Sequence, residues 1–400
     1  MRRGVGSALL AAATLCAAAC AGSSATYVQP LQQPLCKTNG VSVFTDFEGA
    51  GHHVCTISGE DEIVLSVAPE GEPINPSPYY AFRLEAPAPS FLRITLDYST
   101  HEHRYTPKWS RDRQVWRTAP DDAVTVSPNA HEAVMDVALQ TGATWIAAQP
   151  LQSPSEALDA VRIALADAGF TERVYGHSID GRPLIGFVGG SAAPYAPLIV
   201  ALTRQHPPET TGAAAFMAFV QTLAAPEAAA FRNSHRIMLA PMPNPDGVAS
   251  GNWRWNNGGQ DLNRDWGFFA QLETQALGAF IESEAQGRTV EAFFDFHSTQ
   301  QSVVYAPALD ADSPTIAFLP FLQNSLRQKL GAQAPQWTFN HRVNSGTSKG
   351  WALDVLHAPG ITVELGDEVS DAFAQEIGET VAFATIEYFD STDHTELATH

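Results

Sequence analysis

From residue 153 onward, short apolar runs alternate with amphipathic stretches, and this alternation constrains the fold more than any other feature. Runs at 183–188, 197–202, 235–240, 291–297, 302–306 and 360–365 read as strands of the buried type. Helical spacing covers 154–168, 211–223, 268–284, 313–330 and 370–388, with Ser153 placed to cap the first stretch. Apolar strands interleaved with helices predict an α/β fold with a sheet covered on both faces. The expected unit is a three-layer α/β/α domain with a mixed sheet over residues 151–390, followed by a tail at 391–400.

Before residue 150 the pattern is different. Alternating runs at 41–47, 62–67, 79–85, 91–98, 132–139 and 143–148 are separated by Pro, Gly and Asp clusters, which predicts a small all-β sandwich at 39–150. A 21–38 leader precedes it. Residues 1–20 read as a signal peptide, with Met1-Arg2-Arg3, an Ala/Leu-rich stretch and Cys20-Ala21-Gly22. Ala18-Ala19-Cys20 resembles a lipoprotein processing site, although Ala17 stands where Leu is usual, so acylation of Cys20 and simple cleavage both stay open. The expected location is outside the cytoplasm, periplasmic or anchored to the outer membrane through Cys20. No later apolar stretch approaches 18 residues, so the rest of the mature chain is expected to be soluble. Losing residues 1–19 removes two arginines and no carboxylate, taking the formal charge from −20 to −22, which argues against nucleic-acid partners. Cys36 and Cys55 then remain in an oxidising compartment, and a disulfide between them is expected.

The chemistry-bearing residues centre on His206 and Glu209, which flank Pro207 and Pro208 after an apolar strand. Two prolines preset a strand-to-helix turn that can aim both side chains at one point. His297 ends the run Ala292-Phe293-Phe294-Asp295-Phe296, where a buried strand delivers it to the edge of the sheet. Two histidines and a carboxylate make a donor set for catalytic zinc, with one position left for water. Taken alone, each His also fits a hydrogen-bonded core or surface residue.

Further motifs follow in chain order. They are Ser178-Ile179-Asp180-Gly181-Arg182-Pro183-Leu184, His206-Pro207-Pro208-Glu209, Asn244-Pro245-Asp246-Gly247-Val248, Gly251-Asn252-Trp253-Arg254-Trp255, Asp261-Leu262-Asn263-Arg264-Asp265-Trp266, Phe296-His297-Ser298 and Val363-Glu364-Leu365-Gly366. This set resembles the zinc metallocarboxypeptidases of the carboxypeptidase A family, in particular the cytosolic-carboxypeptidase-like branch, which carries a β-sandwich before the catalytic domain. The resemblance implies one zinc ion per chain, held by His206, Glu209 and His297, and hydrolysis at the C-termini of peptides or proteins. It implies that Glu364 is the general base and then the acid, and that Arg254 stabilises the oxyanion. It also implies that Asn263 and Arg264 clamp the substrate's terminal carboxylate, and that Asp261 orients His206.

One departure concerns the substrate-capping Tyr of the family. Its position falls near His341 and Arg342, and no Tyr occurs between Tyr305 and Tyr388, so His341 or Arg342 is the expected substitute. The same count places Lys349 near the base of the pocket for the last substrate residue, where a cation would favour Glu or Asp; a solvated loop lysine is the alternative. Other motifs carry less. Gly176-His177-Ser178-Ile179-Asp180 lacks the closing Gly of a nucleophile elbow, and Asn256-Asn257-Gly258-Gly259 has no following Lys-Ser/Thr for a phosphate loop. His101 and His103 read as a solvated strand edge. Two rival functions remain, an amidase acting on cell-wall peptides and a non-catalytic binding lipoprotein. The second has no use for a base beside a metal.

Overall fold

The computed structural model describes residues 33–390; the signal peptide with Cys20, most of the leader and the 391–400 tail lie outside them. The N-terminal part consists of β1 (Cys36–Thr38), β2 (Val41–Phe44), β3 (His53–Gly59), β4 (Glu62–Val67), β5 (Ala81–Ala86), β6 (Ser90–Asp97), β7 (Lys108–Ser110), β8 (Trp116–Thr118), β9 (Val124–Val126), β10 (Glu132–Leu139) and β11 (Gly142–Ala147). These pair into two sheets, ordered β1-β2-β5-β11-β7-β8 and β3-β4-β6-β10-β9. Alternation puts Ile63, Leu65, Leu92, Ile94, Leu96, Met135 and Val137 of one sheet against Val43, Phe82, Leu84 and Ile146 of the other in one core. A Cys36–Cys55 disulfide, with Cα atoms 5.9 Å apart, ties β1 of one sheet to β3 of the other.

The second part runs α1 (Pro154–Leu165), β12 (Thr171–His177), β13 (Pro183–Gly190), β14 (Leu198–Thr203), α2 (Thr210–Ala224), α3 (Ala229–Ser234), β15 (Arg236–Ala240), α4 (Pro245–Ser250) and α5 (Leu272–Ala285). It continues through β16 (Val290–Thr299), β17 (Val303–Ala306), α6 (Phe318–Leu330), β18 (Gln336–Phe339), α7 (Ser348–Leu356), β19 (Gly360–Gly366) and α8 (Asp371–Asp390). The eight strands form one mixed sheet, ordered β12-β13-β15-β14-β16-β19-β17-β18, whose central strands β15, β14, β16 and β19 are parallel. Strand β14 shows why its sequence is apolar throughout. Ile199 and Ala201 pack with α1, α2, α6 and α8 on one face, while Leu198, Val200 and Leu202 pack with α5 and α7 on the other. Ser153 caps α1 in a capping box with Glu156. The edge strands β12 and β18, and the short helices α3, α4 and α7, have no counterpart in the apolar pattern. Strand β12 (Thr-Glu-Arg-Val-Tyr-Gly-His) is polar and largely exposed, so pairing with β13 defines it rather than burial.

The sandwich and the three-layer domain meet tightly. Trp253, from the loop after α4, is buried in the sandwich core, and its indole N–H donates to the Tyr79 carbonyl at 3.1 Å. Arg104 forms a two-pronged bridge to Asp367 (2.8 and 3.1 Å), and Lys108 pairs with Glu368 at 3.0 Å. Asp367 and Glu368 lie just past the end of β19, so the loop after that strand is tied to the sandwich. Among the described residues, no single helix is long and apolar enough to cross a membrane.

Two sandwich histidines give the fold an acid limit. Burial pulls His53 down to about 4, against weaker opposing bonds from the Ser66 and Ala50 carbonyls, and burial likewise pulls His103 to about 4. A group held neutral in this way is protonated more readily in the unfolded chain, whose histidine value is 6.5. Their contribution to stability is therefore complete above about pH 6.5 and is lost as the pH falls towards about 4. Thermal melts across that window should show the parent losing stability more steeply than a His53→Gln, His103→Gln double variant. Parallel curves would exclude these two groups as the cause.

Candidate metal centre

Strand β14 ends at Thr203, which is paired in parallel with Phe296 of β16. The next residue, Arg204, turns the chain in the left-handed region at φ 59°, an uncommon conformation for a non-glycine residue. Gln205 and His206 follow, and Pro207 and Pro208 lead into Glu209, the residue before the first turn of α2. That turn is pressed onto β16: Gly212 donates its N–H to Ser298 Oγ at 2.9 Å, and a Cβ at Gly212 would collide with the His297 backbone. A glycine is required at this position, and the close approach brings Glu209 to His297 although 88 residues separate them.

Three side chains converge there. His206 Nδ1 lies 2.7 Å from Glu209 Oε1, and His297 Nδ1 lies 2.6 Å from Glu209 Oε2. One ligating atom from each of the three falls within 4.8 Å of the others, and all three residues are buried. The far ring nitrogens face aspartates: His206 Nε2 is 2.9 Å from Asp261, and His297 Nε2 is 2.8 Å from Asp295. Each Nε2–H is donated to a carboxylate, which leaves the Nδ1 lone pairs pointing at Glu209, itself an acceptor. Each of these two contacts is completed by a proton on Nδ1 or by a metal ion shared between the nitrogen and the carboxylate. The donor set of two imidazoles and a carboxylate, with an open side towards the cleft, fits catalytic zinc.

The electrostatics agree. Burial works against the charge on Glu209, but His206 and His297 outweigh it and hold the carboxyl far below its usual range. Burial also opposes charge on His297, and Asp295 and Glu209 override it, raising that imidazole well above 6.5. Protons and a metal ion compete for the same lone pairs.

Asp295 was not anticipated from the sequence. Its signal was there, because a lone carboxylate inside an otherwise apolar buried strand must find partners. It lies two residues before His297, hence on the same side of β16, and is fully buried. Gln205 donates to it at 2.6 Å, and the Ser348 hydroxyl at the start of α7 also donates to it. Gln205 is held in turn by the Trp266 indole N–H at 2.8 Å, and Asn244 bonds the Gln205 carbonyl at 2.9 Å.

Around this centre lies a cleft of about 290 Å³ lined by His206, Glu209, Arg254, Asn263, Arg264 and Glu364, with Ser298 and Thr299 from the end of β16 and Asn75, Pro76, Ser77 and Arg104 from the sandwich. Glu364 is the register partner of His297 across β16 and β19, which puts its carboxyl beside the three converging residues. Burial pushes it up to about 7, with Glu209 and Asp295 adding and the two histidines opposing. Arg254 Nε donates to Asp261 at 2.7 Å, leaving its terminal nitrogens for the cleft. Asn263 lines the cleft with its Nδ2 3.2 Å from His297 Nε2, and its side-chain oxygen accepts the Ser348 N–H at 2.9 Å. Arg264 is at the rim, donating to the Asn263 carbonyl at 2.6 Å.

The remaining expected residues stand apart from the cleft lining. His341 Nε2 pairs with Asp354 at 2.9 Å, and Arg342 is exposed on the loop before α7. Lys349, on α7 next to Ser348, donates to the Asn340 carbonyl at 2.9 Å and to the Asn340 side chain at 2.6 Å. The Ser178 to Leu184 motif supports the fold: Ser178 Oγ, the Asp180 N–H and the Arg182 guanidinium all bond the buried carboxylate of Asp246.

A mixed sheet that presents a His-Glu-His centre at the C-terminal ends of its parallel strands defines a metallopeptidase-type scaffold. The zinc carboxypeptidase family model matches residues 161–383, more than half of the chain, and the protein belongs to that family. Curated relatives include cytosolic carboxypeptidase 1 of Danio rerio, 36% identical over 107 residues, and cytosolic carboxypeptidase 4 of Homo sapiens, 33% identical over 113 residues. Those matches take in 25% and 27% of this chain but only 9% and 10% of the relatives, so they span about a tenth of those proteins. The fold is shared more widely. A metallo-carboxypeptidase from Burkholderia cenocepacia superposes with TM-score 0.73 at 17% identity, covering 88% of this chain and 99% of that one. One from Pseudomonas aeruginosa, in complex with (2-guanidinoethylmercapto)succinic acid, gives 0.71 at 20% identity over 87% and 99%.

The aspartate behind His297 should matter for metal binding itself. An Asp295→Asn variant is expected to hold zinc about 10–100-fold more weakly than the parent. Competition against a zinc-chelating dye measures this without an activity assay, and an unchanged affinity would remove Asp295 from the centre.

Proposed function

We propose that the protein is a zinc-dependent carboxypeptidase that removes the last residue of peptides or proteins. His206, Glu209 and His297 would hold zinc, which when bound would supply the Lewis acidity that makes water a better nucleophile and a carbonyl more electrophilic. The chain's own residues do the rest. Glu364, facing His297 across the strand pair, takes a proton from the attacking water as its oxygen bonds to the scissile carbonyl carbon. It then delivers that proton to the amine nitrogen as the C–N bond breaks. Arg254, fixed at Nε by Asp261, offers its terminal N–H groups to the oxygen that gains charge. Asn263 and Arg264 line the same cleft and would clamp the substrate's terminal carboxylate.

The observation that carries this reading is the register pairing of Glu364 with His297, which sets a buried carboxyl beside a three-residue metal centre. A binding module has no use for that arrangement. Purified protein should contain about one zinc per chain, lose peptide hydrolysis on chelation and regain it with zinc. Glu364→Gln should lower kcat about 10²–10⁴-fold while zinc content is unchanged; hydrolysis at the parent rate would eliminate the base.

We further propose that substrates ending in Glu or Asp are preferred, with Lys349 as the cation. Burial pulls its ammonium down to about 8, and the partners it has are the neutral oxygens of Asn340. A carboxylate brought beside it would relieve that cost. On peptides differing in the last residue alone, Lys349→Ala should erase a preference for acidic termini. A preference that survives the change would dismiss the assignment. Arg342 and His341 lie towards the same loop and are the remaining substitutes for the capping Tyr. The proposed setting is outside the cytoplasm, periplasmic or anchored through an acylated Cys20. The Cys36–Cys55 bond supports this setting because such bonds persist in oxidising compartments, and the mass of the mature N-terminus tests it.

A further inference from the structure

A carboxylate from the sandwich grips the backbone that carries Arg254. In the loop after β4, Glu70 accepts three consecutive backbone N–H groups of the facing domain: Trp253 at 2.8 Å, Arg254 at 2.8 Å and Trp255 at 2.6 Å. Three charge-assisted bonds to one carboxylate set the orientation of three successive peptide units, which is far more constraint than a single bond imposes. The flanking side chains close the clamp. Trp253 is sunk in the sandwich core, bonded to the Tyr79 carbonyl and met edge-on by His101 with ring centres 4.9 Å apart. Trp255 lies over Gly71 so closely that a Cβ there would collide with its ring, so the residue after Glu70 has to be glycine. Only the middle side chain of the triplet, Arg254, turns the other way, to Asp261 and the cleft.

We infer that Glu70 is a positioning residue for the reaction: the β-sandwich acts through Glu70 to fix where the Arg254 guanidinium stands beside the metal centre. Asp261 cannot do this alone. It holds Arg254 at one nitrogen, while the backbone from which the side chain springs belongs to a loop with no strand partner. An error of about 1 Å at a group that stabilises developing charge can cost about a hundredfold in rate. The sandwich is therefore part of the catalytic apparatus. This inference rests on the carboxypeptidase reading, in which Arg254 meets the oxyanion.

Three variants, Glu70→Ala, Glu70→Gln and Arg254→Ala, with the Glu70→Ala/Arg254→Ala double variant, test it. Glu70→Ala should lower kcat about 10–100-fold, with KM changed less than about threefold and zinc content unchanged, because Arg254 acts in the transition state. Glu70→Gln keeps one oxygen for the three N–H groups and should retain more activity than Glu70→Ala. In the Arg254→Ala background, Glu70→Ala should add nothing. A full additional loss there, or a fall in stability with kcat intact, would overturn the inference. The Nε–H resonance of Arg254, identified by its disappearance in Arg254→Ala, separates this idea from the reading beneath it. It should be sharp and slow to exchange in the parent and broadened or lost in Glu70→Ala. If the parent cleaves no peptide, the functional reading falls, and the arginine signal alone decides whether Glu70 positions it; an unchanged signal in Glu70→Ala would refute it.

Discussion

A buried carboxylate, Glu209, is flanked by two imidazoles whose outer nitrogens face aspartates, and the positions between these donor atoms are ones that protons or a metal ion can fill. The 2.7 and 2.6 Å contacts of Glu209 with His206 and His297 are those of charge-assisted hydrogen bonds when protons fill these positions. Much of the surrounding structure serves that cluster. Gly212 allows α2 to press its first turn onto β16, Pro207 and Pro208 stiffen the turn between the two ligands, and Asp295 and Asp261 set the ring orientations. Gln205, Trp266, Ser348 and Asn244 form a second ring of bonds that holds these groups in place. Such a network is stable only when complete, since a buried charge that loses one partner is left with the full cost of its desolvation.

The cleft gathers arginines beside the carboxyls of Glu209 and Glu364 on an anionic chain. The formal charge is −20, yet Arg254, Arg264 and Arg104 all line one opening of about 290 Å³. Concentrating positive charge in a concave, partly dry place strengthens its attraction for a carboxylate. The surrounding negative surface has little pull on such a group. Of these arginines, Arg104 is spent on structure, through its bridge to Asp367 and its bonds to Pro76 and Ser77. Arg254 and Arg264 retain donors for a ligand.

The two halves of the chain are mutually dependent at this cleft. The sandwich core takes in Trp253 from the zinc carboxypeptidase domain, and the loop after β19, which follows Glu364, is bridged to Arg104 and Lys108. A domain that merely preceded the catalytic unit would not need its charged residues placed around the end of the strand that carries Glu364.

The layered α/β fold, the sandwich before it and the converging residues His206, Glu209 and His297 were legible in the sequence, while Glu364, Arg254 and Asp261 were reached through the family resemblance. Their signals are local: apolar runs buried on two faces, prolines that preset a turn, and short motifs spaced along one chain. Edge strands β12 and β18 were not legible, because strands that are half exposed carry no strong hydrophobic pattern. Asp295 and Glu70 were missed for a different reason. What each does depends on which nitrogen or amide lies opposite it, and that is set by strand register and by the packing of two domains. Periodicity and motif spacing thus determined the scaffold and the zinc ligand types, whereas most of the contacts that aim the site's side chains came from the tertiary structure, since bonds such as His206 to Asp261 and Glu70 to Trp255 join residues 55 and 185 positions apart that no local rule relates.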